Sequence, residues 1–182
     1  MIEIRIHGRG GQGAVVAAKI LSVAFFKEDK YVQSFPTFGV ERRGAPVAAF
    51  IRVSDEKILV RSQIYEPDHI IVLDPSLIDA VDVSSGLKKG GSILINTTRK
   101  ATEFEKLQAF RVATVDASAV AVKNRLGSKA HPIVNTAILG AFAKTSDLVK
   151  LDSVLVAIKD EVPVLPEANA EAAKEAFETV QS

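Results

Sequence analysis

The chain begins MIEIRIHGRGGQGA (residues 1–14), and this stretch decides the fold class. Apolar and charged residues alternate from Ile2 to Ile6, which predicts a β-strand. The glycine-rich turn Gly8–Gly13 follows, and Ala14–Phe26 is an apolar run without Gly or Pro that predicts a buried helix. A strand, a glycine-rich turn and a helix in this order are typical of α/β proteins.

The rest of the chain continues to alternate strands and helices. Strands are predicted over 30–35, 68–73, 92–96 and 110–115, and residues 47–53 are expected to form a β-hairpin with 57–60. Asp74-Pro75 is predicted to turn into a helix ending near 83, and further helices over 117–126, 135–144, 151–159 and 168–180. The sequence predicts a single domain over 1–182, a three-layer α/β/α sandwich with a mostly parallel central sheet.

Composition and charge are those of an ordinary globular protein. The 182 residues are 47% hydrophobic with a net charge of +1, which argues against a nucleic-acid-binding surface. The chain has no cysteine, so it cannot carry a thiolate-ligated iron–sulfur cluster. No signal-peptide pattern and no membrane-length apolar run are seen, so we expect a cytoplasmic protein that binds no membrane. Three scattered histidines predict no metal site.

The glycine-rich turn is predicted to hold a phosphate group. Glycine tolerates positive φ and has no Cβ, so the backbone can approach a ligand closely. The amide groups at the start of a helix attract anions, and Arg9 would add a charge-assisted contact. The alternative is a tight turn with no ligand. The residues predicted to contact the phosphate are Gly8, Arg9, Gly10, Gly11, Gln12 and Gly13.

The same turn fits the dinucleotide pattern G-x-G-x-x-G. That pattern also requires an acidic residue at the end of the second strand, where it binds a ribose. Here the second strand ends in Gln33–Pro36, with Glu28 and Asp29 before it and Glu41 beyond it. The sequence therefore disfavours a dinucleotide and leaves other phosphate carriers open. A free-standing NAD- or NADP-dependent dehydrogenase is kept as an alternative.

A second segment, FGVERRGAP (residues 38–46), is predicted to lie near the carboxyl edge of the sheet. Ligands of α/β proteins usually bind at this edge. Two adjacent arginines beside a glycine suit a phosphate or a carboxylate, and Glu41 would hold one arginine in place. A solvated charged loop is the alternative. The residues added to the predicted site are Glu41, Arg42, Arg43 and Gly44.

These two segments together resemble the gamma subunit of 2-oxoacid:ferredoxin oxidoreductases. A third segment, Asn135–Phe142, is similar to the late helix of that family, as is the end helix around Glu167–Asn169, so the resemblance covers essentially the whole chain. Within the family the chain looks most like the pyruvate and ketoisovalerate members. Phe38-Gly39-Val40 stands where many relatives carry Tyr-Gly-Pro, which leaves a ketoisovalerate-, 2-oxoglutarate- or indolepyruvate-specific member open.

The resemblance implies one subunit of a larger enzyme, with no catalytic residue of its own. Such a complex oxidatively decarboxylates a 2-oxoacid, transfers the acyl group to coenzyme A and passes two electrons through iron–sulfur clusters to ferredoxin. The implied partners are alpha, beta and delta subunits, with thiamine diphosphate between alpha and beta and the clusters in beta and delta. The gamma chain would help bind coenzyme A and close the active site, and Asn135 joins the predicted contacts. The alternative is an assembly subunit without a ligand site.

Overall fold

The computed structural model describes residues 1–37 and 42–182, and within them six strands form one sheet. The order across the sheet is β2-β3-β1-β4-β5-β6. The strands are β1 (Ile2–Arg9), β2 (Tyr31–Pro36), β3 (Pro46–Ser54), β4 (His69–Val72), β5 (Ser92–Asn96) and β6 (Arg111–Val115). β1 pairs in parallel with β4, as do β4 with β5 and β5 with β6, whereas β3 is antiparallel to both β1 and β2. The predicted mostly parallel sheet is confirmed.

The helices agree with the predicted positions, with shifts at some ends. They are α1 (Ala14–Phe26), α2 (Leu77–Ala80), α3 (Ala117–Lys123), α4 (Ala137–Ser146), α5 (Leu151–Glu161) and α6 (Pro166–Thr179), with short 3-10 helices at 101–103 and 105–107. α6 begins earlier than predicted because proline is favoured in the first turn of a helix. α3 ends earlier because Arg125 and Gly127 have positive φ, which ends a helix.

The predicted hairpin between 47–53 and 57–60 is wrong. β3 instead pairs with β1 along one edge and with β2 along the other, so no edge remains for another strand. Residues 57–60 adopt no strand, and the side chain of Leu59 is 78% exposed. The apolar run Ile58–Val60 has the composition of a strand, but it could pair with β3 only if an edge of β3 were free.

The two faces of the sheet are covered unequally. On one face Ile4, Ile6 and Ile51 pack against α1 and α3–α6 in the larger core. On the other face, β4 and β5 are covered by α2, the 3-10 helices and the chain between them, through side chains such as Leu77 and Leu107. The predicted three-layer architecture is confirmed, with one thin layer. Among the described residues, no helix combines the length and apolarity needed to cross a bilayer.

Candidate functional site

The two segments singled out in the sequence lie side by side. The amide of Gly10 donates to the carbonyl of Ala45 at 2.9 Å, and the amide of Gly44 donates to the carbonyl of Gly10 at 3.0 Å. A Cβ at Gly10 would overlap the carbonyl oxygen of Arg42. Only glycine therefore lets the two segments approach this closely.

The turn is shorter than predicted. Gly8 and Arg9 belong to β1, where they pair with Val47 and Pro46 of β3. The antiparallel ladder continues past the first glycine because Gly8 keeps an extended backbone. The turn itself is Gly10–Gly13, in which Gly11 and Gly13 have φ of +93° and +80°. We call Gly10–Gly13 the glycine turn and residues 42–45 the arginine segment.

Arg9 is bound to protein groups through all three guanidinium nitrogens. Its Nε lies 3.1 Å from Oδ2 of Asp74, Nη1 donates to the carbonyl of Gly44 at 3.0 Å, and Nη2 donates to Oγ of Ser76 at 2.8 Å. The side chain thus joins the end of β1, the arginine segment and the loop after β4. In this geometry Arg9 mainly holds the segments together. The sequence had suggested a contact with the ligand instead.

Gln12 and Asp74 complete this network. Gln12 accepts from the amide of Arg9 at 2.7 Å and donates from Nε2 to Asp74 at 2.9 Å. Burial acts to raise the pKa of Asp74, but hydrogen bonds from Ser76 and Gln12 and the charge of Arg9 outweigh it and hold the pKa below its usual value. The sequence made Asp74 a candidate for the site but favoured a helix N-cap or a turn role. Its position at the carboxyl end of a buried strand was the signal for a site role.

A cleft of about 600 Å³ opens beside the glycine turn, at the carboxyl ends of β4 and β5. Its lining includes Gly11–Gly13 and Arg43, Asp74 in the loop after β4, Asn96 at the end of β5, and residues 130–135. α1 begins at this cleft with Gly13 as its N-cap residue, so no side chain caps the first amides, and its first turn has no acidic residue. This arrangement suits an anionic group. Sequence reasoning missed Asn96 and 130–134.

Asn135, which the family resemblance added to the predicted site, lies against the glycine turn. It lines the cleft and is only 8% exposed. A Cβ at Gly13 would lie 2.5 Å from Nδ2 of Asn135, so the amide packs directly on the glycine backbone. Its Oδ1 atom is buried without a hydrogen-bond partner among the described residues.

Arg42 and Arg43 are exposed, and Arg43 lines the cleft. Phe38, Gly39, Val40 and Glu41 lie outside the described residues, so the pairing of Glu41 with an arginine stays a prediction. Every other residue predicted for the site lies at the same edge of the sheet, on β1, in the glycine turn, in the arginine segment or before α4.

The sheet order bears on the dinucleotide alternative. β2, the strand after α1, lies at the sheet edge, separated from β1 by the antiparallel β3. In dinucleotide-binding sheets the second strand lies next to the first, which places its terminal acid near the ribose. In the observed order, the end of the second strand does not lie beside the glycine turn, so it cannot place an acidic residue near a ribose there. Within 1–37 and 42–182, no three His, Asp or Glu side chains form a group suited to a metal ion.

Comparison with known proteins places the chain in one family. The family described as "Pyruvate ferredoxin/flavodoxin oxidoreductase" matches residues 3–179. The chain is similar to the "Pyruvate/ketoisovalerate oxidoreductases common subunit gamma" of Thermococcus kodakarensis, with 59% identity over 97% of this chain and 96% of that protein.

Two solved structures share the fold. The pyruvate oxidoreductase subunit PORC of Thermotoga maritima superposes with a TM-score of 0.84 at 33% identity, over 99% of this chain and 97% of that one. The 2-oxoglutarate:ferredoxin oxidoreductase of Magnetococcus marinus, solved with 2-oxoglutarate, coenzyme A and succinyl-CoA bound, superposes with a TM-score of 0.75 at 18% identity. That match covers 96% of this chain but 30% of the longer chain, and it shows the fold alone.

Proposed function

We propose a coenzyme A-binding role for this chain, which belongs to the pyruvate ferredoxin/flavodoxin oxidoreductase family and is a gamma-type subunit of a 2-oxoacid:ferredoxin oxidoreductase complex. In the overall reaction the 2-oxoacid loses carbon dioxide, its acyl carbon is oxidised by two electrons that pass to ferredoxin, and the acyl group forms a thioester with coenzyme A. The names of the relatives favour pyruvate as the 2-oxoacid and ketoisovalerate as the second choice.

The observation that carries the proposal is the contact between the glycine turn and the arginine segment at the mouth of the cleft. Coenzyme A has a diphosphate and a further phosphate, so a site for it needs several donors close together. The first amides of α1 and the side chain of Arg43 supply such donors on one side of the cleft. A cleft of about 600 Å³ is large enough for part of the cofactor, with the rest left for other subunits.

The charge distribution is compatible with an anion. Asp74 lines the same cleft, but its carboxylate is paired with Arg9 and hydrogen-bonded to Gln12. Its negative charge is therefore neutralised within the protein. Arg42 and Arg43 are exposed and remain close to the first turn of α1 through the backbone bonds of Gly10. The edge of the sheet thus presents net positive charge to the cleft.

The role we assign is binding and positioning. This chain has no cysteine to hold a cluster. We propose that thiamine diphosphate and the iron–sulfur clusters belong to alpha, beta and delta partners in the cytoplasm, and that ferredoxin takes its electrons from them. By holding the nucleotide end of coenzyme A, this chain would place the thiol near the acyl group and help close the active site, which reduces the entropic cost of the transfer.

Calorimetry with coenzyme A on the assembled complex tests this proposal. We expect Arg42→Ala/Arg43→Ala to weaken binding by about 1–3 kcal/mol for each charged contact removed, or about 5- to 150-fold per contact. The matched control is Lys89→Ala/Lys106→Ala, which removes the same charge from exposed residues outside the cleft. Unchanged affinity in the Arg42/Arg43 variant would overturn the ligand role.

An assembly subunit without a ligand site is the second candidate. It is favoured by exposed apolar side chains on the irregular segment 55–68, where Leu59, Val60 and Tyr65 are 78%, 43% and 70% exposed. On this view the arginine segment pairs with a neighbouring subunit. Normal coenzyme A affinity together with failed co-purification of Arg42→Ala/Arg43→Ala would support it.

The dehydrogenase alternative has a separate test. A dinucleotide present at 100 times its dissociation constant would stabilise the folded chain by about 2.7 kcal/mol. We expect neither NAD nor NADP to raise the unfolding temperature of the isolated chain. A clear rise with either one would revive this alternative.

A further inference from the structure

We propose that Thr136 and Asn169 are positioning residues that hold Asn135 against the glycine turn, so that helix α6 sets the affinity of the cleft. The inference rests on the proposed function, since it takes coenzyme A as the ligand. It extends the site to a helix that contributes nothing to the cleft lining described by the structure.

The central feature is a buried hydrogen bond between two side chains. Thr136 Oγ1 donates to Oδ1 of Asn169 at 2.7 Å, and the two residues are 1% and 4% exposed. Nδ2 of Asn169 donates to the carbonyls of Val164 and Leu165 at 3.2 and 2.9 Å. Removing the Thr136 hydroxyl would leave the Asn169 oxygen buried without a donor, which is costly in a water-excluded interior.

Asn169 also fixes the entrance to α6. Leu165, the N-cap residue of that helix, has a φ of +51°, a conformation that non-glycine residues seldom adopt. The Asn169 side chain binds the carbonyl of Leu165 and the one before it. The start of α6 is thus held by the same amide that binds Thr136. A shift at the start of α6 would therefore move Thr136, at the start of α4, as well.

A second contact fixes the register of the two helices. A Cβ on Gly140 would overlap the carbonyl oxygen of Ala173, so the backbones of α4 and α6 are in direct contact. Thr136 and Gly140 are four residues apart, as are Asn169 and Ala173, and residues four apart lie on the same face of a helix. Sliding or rotating α4 relative to α6 would therefore disturb both contacts together.

The link to the ligand runs through the neighbouring residue. Asn135 directly precedes Thr136, lines the cleft and packs on Gly13, the N-cap residue of α1. Thr136 is buried and is not part of the lining. A shift at Thr136 would move the Asn135 amide relative to the first amides of α1. Thr136 and Asn169 thus act on the ligand only through Asn135.

The test uses the assembled complex and conservative variants. Thr136→Val keeps the shape of the side chain and removes the hydroxyl, whereas Thr136→Ser keeps the hydroxyl. We expect Thr136→Val to raise the Kd for coenzyme A by about 3- to 10-fold, since it removes one buried hydrogen bond that acts indirectly. KM for coenzyme A should rise in parallel while kcat at saturating coenzyme A is unchanged. Thr136→Ser should restore the wild-type Kd to within about 2-fold.

A third variant distinguishes the positioning effect from a general loss of stability. Leu107→Ala removes a side chain that is 3% exposed in the core on the opposite face of the sheet. It should lower the unfolding temperature and leave the Kd unchanged. An unchanged Kd in Thr136→Val, or an equal rise of Kd in Leu107→Ala, would overturn the proposal.

The outcomes also separate this proposal from the function on which it depends. Weaker binding in Arg42→Ala/Arg43→Ala with normal binding in Thr136→Val would overturn only the positioning role. Normal binding in both would overturn the ligand role as well. If Thr136→Val does not assemble, Thr136→Ala takes its place, since it also removes the hydroxyl and places no methyl group against the Asn169 oxygen. A wild-type Kd in that variant would equally overturn the proposal.

Discussion

The glycine turn and the arginine segment form the two halves of the proposed site, and they are built in opposite ways. In the half that contains the glycine turn, the polar side chains bind other protein groups, since Arg9 and Gln12 both bind Asp74. In the second half the backbone makes the attachment, through Gly10 and its bonds to Ala45 and Gly44, and the arginine side chains are exposed.

Because the polar side chains are partnered in one half and exposed in the other, we expect the two halves to have separate roles. The half around the turn is a scaffold, because the side chains of Arg9 and Gln12 are partnered and close contacts require the glycines at positions 10 and 13. In the proposed site, the arginine segment would supply the charges that a ligand meets. Substitutions in the first half should therefore act mainly on folding and on the shape of the site, and those in the second half mainly on binding.

The largest effect is expected for Gly10→Ala, which breaks the junction of the halves. The new Cβ would overlap the Arg42 carbonyl, so the two backbone bonds between the segments must separate. We expect a loss of stability of about 1–3 kcal/mol from overpacking and at least a 10-fold weaker Kd for coenzyme A. Urea unfolding of the chain and calorimetry on the complex measure these effects.

Gly90→Ala is the matched control for this prediction. Gly90 lies outside the cleft and has a φ of +80°, but a Cβ there would meet nothing within 4 Å. The variant should show only the strain of the left-handed conformation, about 1–2 kcal/mol, with the two segments still joined. If Gly10→Ala binds coenzyme A no worse than Gly90→Ala, close approach of the segments is not what the site requires.

The next largest effect concerns His7, three residues before the glycine turn. Burial, with the nearby Arg5 charge, lowers the pKa of His7 from 6.5 to about 4. The folded state thus favours the neutral form, so its contribution is present above pH 6.5 and is lost as the pH falls toward 4. We expect a loss of up to about 3 kcal/mol over this window, measured by urea unfolding.

His7→Gln should flatten the stability profile between pH 6.5 and 4, while His131→Gln, at an exposed loop position, should retain it. Equal slopes in wild type and His7→Gln would contradict the assignment to His7.

A smaller effect is expected for Asp74→Asn, which removes the charge at the centre of the scaffold. The variant should be less stable at pH 7 by about 1 kcal/mol, because the ion pair with Arg9 is partly exposed. The pKa of Asp74 is held below 3.8, so the stabilisation is present above that pH and is lost as the pH falls through the folded-state value. The difference from wild type should shrink in strong acid.

Asp79→Asn serves as the control, since Asp79 is a nearby residue on α2 with no ion pair among the described residues. It should match wild type at pH 7. A difference between wild type and Asp74→Asn that persists undiminished at the lowest pH where the chain remains folded would show that the carboxylate charge is not responsible.

The smallest effect on stability is expected for Arg42→Ala/Arg43→Ala. Both side chains are exposed, and such substitutions usually change stability by less than about 0.5 kcal/mol. The same variant should give a large loss of coenzyme A affinity. A marked fall in unfolding temperature would show that these arginines belong to the scaffold, and the contrast between the two halves would then be wrong.

Local pattern predicted most of the fold and a large part of the site. The bounds of α1 and β5 agree with the prediction, because each is a mainly apolar run preceded by glycine. The hairpin at 57–60 was wrong because a short apolar run does not reveal which sheet edges are occupied. The predicted residues were brought to one edge, but Asn96 and 130–134 were missed, since they lack a glycine or arginine motif.

The sequence by itself determined the strand, the glycine-rich segment, the helix and the family, because each depends on residues that are adjacent in the chain. Only the tertiary structure decided how the polar groups are used. Arg9 is satisfied by Asp74, 65 residues away, and Thr136 by Asn169, 33 residues away. A buried donor takes whichever acceptor the packing of the sheet and helices places beside it, and no local pattern encodes that choice. The glycine turn was therefore recognisable from the sequence, while its role as a scaffold was not.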